Sequence, residues 1–215
     1  EIVDKVTAGT SLTIPLGAHF QFRNTGEVPL AFIIATMPPW PGTEEFPNGS
    51  SRPGPNLYTD SVIALDHKTG ELVWFNQVRP HDNFDLDFHV TPILTTERIN
   101  GQDRDIAIGA GKTGTVHAFD ADTGEVKRFW GAYGNEPDDS YSERYTPGAP
   151  PPPQFASPVH CAEVSDSGLI YVCDRAQDRI QVFQKDGTFV DEMFVLPNTT
   201  GSGSAWDIAF SPDQT

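Results

Sequence analysis

VIALDHKTGELVW, residues 62–74, decides the fold. An apolar run ends at Asp66, a polar connection closes on Gly70, and a second apolar run ends on Trp74. A glycine near the end of a five-residue connection suits a type I turn followed by a left-handed bulge. The stretch therefore predicts two antiparallel strands, 61–65 and 71–78. It returns as VHAFDADTGEVKRFW at 116–130 and, more loosely, as IQVFQKDGTF at 180–189. Hairpins this small cannot bury their own faces, so their repetition predicts a stack of small sheets.

Further strands are expected at 90–94, 106–109, 160–164, 169–173, 189–194 and 206–210, with a tight turn at Asn100-Gly101. Prolines crowd 37–55 and 131–154, which excludes central strands there. The chain divides into a β segment (1–46), a proline-rich linker (47–56), hairpin blades (57–130), a long proline-rich loop (131–154) and further blades (155–215). The fold class is all-β, built of partial β-propeller blades of four antiparallel strands. Half a blade, two full blades and the start of another fall short of a closed ring, and a chain opening on Glu1 reads as processed or as a fragment. Trp74, Trp130 and Trp206 each end or begin a strand and are expected to pack between blades.

Thirty acidic residues against 14 basic give a net charge of −16, which repels phosphate backbones and argues against nucleic acid as a partner. No apolar run reaches the roughly 20 residues of a membrane span. Cys161 and Cys173 are the only cysteines, too few for a disulfide scaffold or a cysteine-based zinc site. A hairpin pairing Ser165 with Leu169 across residues 166–168 would set Cys161 opposite Cys173. They form a possible cross-strand pair, with two packed thiols weighed above a bridge. His81, Asp82, Asp85 and Asp87 could suggest a metal cluster, but Asp and Asn in such a loop more commonly cap backbone N–H groups. Glu136, Asp138, Asp139 and Glu143 read as a solvated loop.

Three resemblances overlie this pattern. Residues 9–24, GTSLTIPLGAHFQFRN, resemble the second cupin motif, which implies a short cupin-like β segment over 1–46. The metal histidine of that motif would fall at Phe20, and His19 stands one place early, so no metal site is implied. Residues from RPGPNLYTD (52–60) through PHDNFDLD (80–87) to KTGTVHAFD (112–120) are similar to quinoprotein (PQQ-dependent) alcohol dehydrogenases, over about 50–125. This resemblance implies pyrroloquinoline quinone and calcium as cofactors, and a cofactor-binding role for Lys112 toward the quinone oxygens. It also implies a catalytic Asp in RPGDN, where Pro55 stands here and offers no carboxylate. Residues 155–183 resemble an NHL repeat, which extends a propeller reading over about 118–215. Its lyase relatives hold zinc by several histidines, whereas His160 stands alone in this region.

The composite suggests a fragment or fusion. The first function expected is a non-catalytic binding or assembly module with no catalytic residue, partnered by other blades or by copies of itself through open strand edges. The alternative is part of a PQQ-dependent alcohol dehydrogenase-type oxidoreductase. By resemblance the chain would be periplasmic or secreted.

Overall fold

Asp66 explains the first hairpin. Its carboxylate accepts from the backbone N–H of Lys68 (2.9 Å) and Thr69 (2.8 Å), and its carbonyl accepts from Gly70 N–H at 2.8 Å. Those N–H bonds hold the Asp66 carboxyl below the usual range. Gly70 turns at φ +72°, which a side chain would oppose, and the ladder shifts register between Ala64 and Leu65. Asp120 repeats the arrangement with Thr123, Gly124 at φ +73°, and a shift between Ala118 and Phe119.

The computed structural model describes residues 54–213 except 83, 85 and 142–144. The cupin-like segment with His19, and most of the linker, lie outside the described residues. Strands β1 (Ser61–Leu65) and β2 (Leu72–Gln77) form a two-stranded antiparallel sheet. Strands β3 (Ile93–Ile99), β4 (Gln102–Ala110), β5 (Val116–Asp120) and β6 (Val126–Trp130) form a four-stranded meander. Strands β7 (Val159–Val164), β8 (Ile170–Asp174), β9 (Arg179–Phe183) and β10 (Phe189–Phe194) form a second one. The fold class is thus as the repeats predict: all-β, in antiparallel four-stranded units.

The sheets stack in series because the central strands are apolar on both faces. Ile106, Ile108 and Ala110 of β4 join Val159, Ala162, Ile170 and Val172 of the next sheet in one core. Ala107, pointing the other way, packs with Val62, Phe88 and Phe119 toward the first sheet. On the far side of the third sheet lie Cys161, Cys173, Ile180 and Ala205. Two tryptophans fix the spacing. The ring of Trp74 covers Gly124, where a Cβ would come within 2.4 Å of it, and its Nε1 donates to Ala121 O at 2.9 Å. Trp130 covers Gly187 of the following sheet in the same way, at 3.1 Å. The outer strand of one sheet thereby docks on the last turn of the next.

Trp206 departs from this. Residues 206–210 form no strand in the structure, contrary to the sequence expectation. The Trp206 carbonyl is engaged by His160 Nδ1 at 2.8 Å rather than by a ladder, and Ile208 packs over Cys161 and Cys173. The strand expected at 90–94 begins instead at Ile93, because Val90 N–H already donates to Ala110 O.

The loop 131–154 is stitched to the β7–β10 sheet. Arg179, with no exposed side-chain surface, donates to Asp174 Oδ2 (2.9 Å), Tyr133 Oη (2.8 Å) and Gln154 O (3.0 Å). Burial raises the Asp174 carboxyl to about 7, against the pull of Arg179. Burial also lowers the His117 imidazole to about 4. The two act oppositely on stability. Asp174 has its folded pKa raised, so its contribution is full below about pH 4 and is lost as pH rises toward 7. His117 has its folded pKa depressed, so its contribution is full above about pH 6.5 and is lost as pH falls toward 4. Their slopes, each at most about 1.4 kcal/mol per pH unit, offset one another between pH 4 and 7. The Asp174→Asn variant should therefore lose stability on acidification more steeply than the parent. Thermal midpoints at pH 4, 5, 6 and 7 check this, and parallel curves would sink it.

Candidate functional site

Lys112 sits in the connection between β4 and β5. Its backbone N–H donates to Asp87 O at 2.9 Å, and its Nζ donates to Asp87 Oδ2 at 2.7 Å. The close seat of the acidic loop on this connection depends on two glycines. A Cβ at Gly111 would lie 2.5 Å from Asp87 O, and one at Gly109 would lie 2.7 Å from the Phe88 ring. Phe88 is buried under the sheet, which anchors Asp87 beside the lysine. The ion pair is partly exposed and contributes at most about 1 kcal/mol to stability. Its consequence is positional: the ammonium is held in place.

Asp82 organises the rest of the loop. It accepts from Arg79 Nε (2.9 Å), Phe84 N–H (3.1 Å) and Leu86 N–H (2.7 Å), the capping role expected for it. His81 approaches Gly54 O at 2.7 Å and Asn56 Nδ2 at 3.0 Å through Nδ1. Asp60 accepts from Phe88 N–H at 3.2 Å. Burial raises its carboxyl, Asp82 and Asp87 raise it further, and the Phe88 bond and Arg79 oppose them. His89 lies next to Asp87, with Nδ1 at 3.3 Å from the Asp87 carbonyl. Burial lowers the His89 imidazole, His160 and Lys112 add to the effect, and Asp87 opposes it. The His89 ring meets His160 edge-on at 5.4 Å.

Pro55 is exposed, and its carbonyl accepts from Gln77 Nε2 (2.7 Å) and His81 N–H (3.2 Å). The carboxylate within hydrogen-bond distance of Lys112 is that of Asp87. Asp85 lies outside the described residues. Among the described residues no group of three or more His, Cys, Asp or Glu is placed to hold a metal. Cys161 and Cys173 stand directly opposite in the β7–β8 register and are joined by a disulfide, with Cα atoms 4.9 Å apart. The bridge replaces the two packed thiols weighed above it from sequence. A groove of about 370 Å³ between β6 and the β9–β10 turn, lined by Arg128, Trp130, Tyr133 and Phe189, includes none of these residues.

The sequence pointed to Lys112 but not to its partner. The pairing spans 25 residues, and its one local signal is the pair of glycines, Gly109 and Gly111, that ends β4. Asp60 and His89 carried no signal of their own.

A family model for the β-propeller domain of PQQ glucose/ethanol/alcohol dehydrogenases matches residues 40–212. The match runs without interruption across the stretches read from sequence as quinoprotein-like and NHL-like. The 1-butanol dehydrogenase (cytochrome c) of Thauera butanivorans is 36% identical over 91 residues, 42% of this chain and 13% of that protein. The lanthanide-dependent methanol dehydrogenase of Methylorubrum extorquens is 34% identical over 79 residues, 37% of this chain and 13% of that protein. The structure of a quinohemoprotein alcohol dehydrogenase from Pseudomonas putida aligns with a TM-score of 0.44 at 21% identity, covering 65% of this chain and 22% of that one. The matched stretch is thus about an eighth of each of these two relatives' length.

Proposed function

This chain belongs to the PQQ glucose/ethanol/alcohol dehydrogenase β-propeller family, and from that membership we propose that it supplies cofactor-facing blades of a quinoprotein oxidoreductase acting on alcohols. The observation that carries this reading is the Lys112–Asp87 pair at 2.7 Å. When bound, PQQ supplies an ortho-quinone that takes up two electrons from an alcohol. Lys112 Nζ donates to Asp87, and an ammonium held there suits a quinone oxygen as negative charge develops on it. Asp87 fixes the ammonium and keeps a carboxylate within hydrogen-bond reach of it. The donor chemistry fits the quinone. Among the described residues no group of three or more His, Cys, Asp or Glu is placed to hold calcium.

An extracytoplasmic location is supported by the Cys161–Cys173 disulfide, since such bonds persist in oxidising compartments. Further blades or copies of the chain are the partners this reading favours. Val73 and Phe75 of β2, with Ile63 opposite Phe75 on β1, leave an exposed apolar strip that another sheet would cover. The charge of −16 argues against nucleic acid.

Titrating the chain with PQQ, with calcium or a lanthanide present, tests the reading. Saturable perturbation of the quinone absorbance is expected, with dye reduction on adding a primary alcohol. The Lys112→Gln variant should bind PQQ about ten- to a hundredfold more weakly, the worth of one charge-assisted hydrogen bond. Absence of binding by the parent chain would leave the non-catalytic platform instead.

A further inference from the structure

Arg175 follows β8 as Lys112 follows β4, so both occupy the connection between the second and third strands of consecutive sheets. Both therefore open at the same end of the stack. The guanidinium carbon of Arg175 lies over the Trp206 ring at 4.4 Å. Arg79, Arg98, Arg128 and Arg179 each have a carboxylate within ion-pair distance. Among the described residues Arg175, like the exposed Arg104, has none, in a chain with 30 acidic side chains. Its Nε is buried without a hydrogen-bond partner. The carboxylate of Asp207, which follows Trp206 in sequence, accepts from Ile208 N–H at 2.9 Å.

The surface under Arg175 is built and held. Trp206 Nε1 donates to Gly203 O at 2.9 Å, and the Trp206 carbonyl accepts from His160 Nδ1 at 2.8 Å. A Cβ at Gly203 would lie 1.8 Å from Arg175 O, so only glycine lets this segment close on the Arg175 backbone. Trp206 remains 46% exposed. Contacts run on from Trp206 to His160 (5.0 Å between rings), from His160 to His89, and through Asp87 to Lys112. A planar guanidinium with no carboxylate partner of its own can take a carboxylate in a two-pronged bond. The open part of the indole offers an aromatic ring a stacking surface.

We propose that Arg175 and Trp206 form a binding site for the carboxylate of a planar aromatic anion. Two sources fit that chemistry: a carboxylate of the quinone cofactor, which rests on the quinoprotein reading above, or a separate aromatic carboxylate ligand, which does not.

The test uses the full chain and two probes, PQQ and benzoate. Binding is followed by quenching of tryptophan fluorescence and, for PQQ, by absorbance. The Arg175→Gln variant should lose at least tenfold in affinity for whichever probe binds, with unchanged circular dichroism. Arg175→Lys should recover only part, because an ammonium keeps the charge without the planar fork. Trp206→Phe should keep binding while losing much of the quenching. Weakened PQQ binding in Arg175→Gln supports the cofactor source. Weakened benzoate binding with no PQQ binding supports the separate ligand and removes the quinoprotein reading. If Lys112→Gln weakens PQQ while Arg175→Gln changes neither probe, the inference falls and the quinoprotein reading stands. If neither probe binds the parent chain, the inference is overturned.

Discussion

Replacing Arg179 with methionine is expected to lower the thermal midpoint by roughly 6–20 °C. The guanidinium has no exposed surface, and it serves Asp174, Tyr133 and Gln154 at once. Removing it leaves the Asp174 carboxylate buried without a cation, Tyr133 Oη without this donor, and Gln154 O with Gln177 alone. Breaking a buried pair from one side costs about 3–5 kcal/mol, because the surviving charge has lost both water and partner. For a chain of this size each kcal/mol moves the midpoint by about 2–4 °C. The double variant Arg179→Met with Asp174→Leu removes both charges and should recover part of the loss. Hydrogen exchange should rise first in β7–β10 and in the 131–154 loop, whose Gln154 carbonyl is held by Arg179 and Gln177. A single variant within about 1 kcal/mol of the parent would show that the network is not what ties the loop to the sheet.

Glu192 belongs to the same network and ties the outer strand β10 to it. Tyr133 Oη lies 3.0 and 3.2 Å from its two carboxylate oxygens, and Arg179 Nη1 lies 3.5 Å away. Strand β10 is largely exposed: Val190, Met193 and Phe194 face solvent, and of its apolar residues Phe189 packs against the core. It is secured by its ladder to β9 and by this carboxylate. The network therefore spans the sheet from Asp174 at the end of β8 to the outer strand.

The hairpins were legible because their cause is local. An Asp whose carboxylate caps the next N–H groups, followed by Thr and a left-handed Gly, specifies the turn whatever surrounds it. Trp74 and Trp130 were legible as packing residues for the same periodic reason. Trp206 was not, since its fate depends on Arg175 and His160, which are distant in sequence. The site was half legible. Lys112 stands in a motif, but what fixes it is the absence of side chains at Gly109 and Gly111 and the seat this gives to Asp87. Clearances of that kind are properties of the packed sheets, and no spacing rule records them. Position 55 shows the converse. The motif directs attention there, while the carboxylate paired with Lys112 comes from the loop that ends at Asp87.

Replacing both Cys161 and Cys173 with alanine is expected to cost about 3 kcal/mol. The bridge closes a loop with a sequence separation of 12, and restricting a loop of that length in the unfolded chain accounts for about 3 kcal/mol at 25 °C. Both residues are buried, packed with Ile180 and Ala205 and flanked by Tyr171, Val195 and Ile208. Chemical denaturation with and without reductant measures the difference. The parent should lose about the same stability on reduction, and the double-alanine variant should be indifferent to reductant. Two thiols reacting in the unfolded, unreduced chain would remove the bridge altogether. The consequence reaches beyond stability. Ala205 and Ile208 rest against the bridge, and Trp206 stands between them, so loosening this contact should loosen the tryptophan under Arg175. Reduction should then weaken aromatic carboxylate binding at Arg175 while leaving the Lys112–Asp87 pair, seated on β4 and Phe88 of another sheet, unaffected.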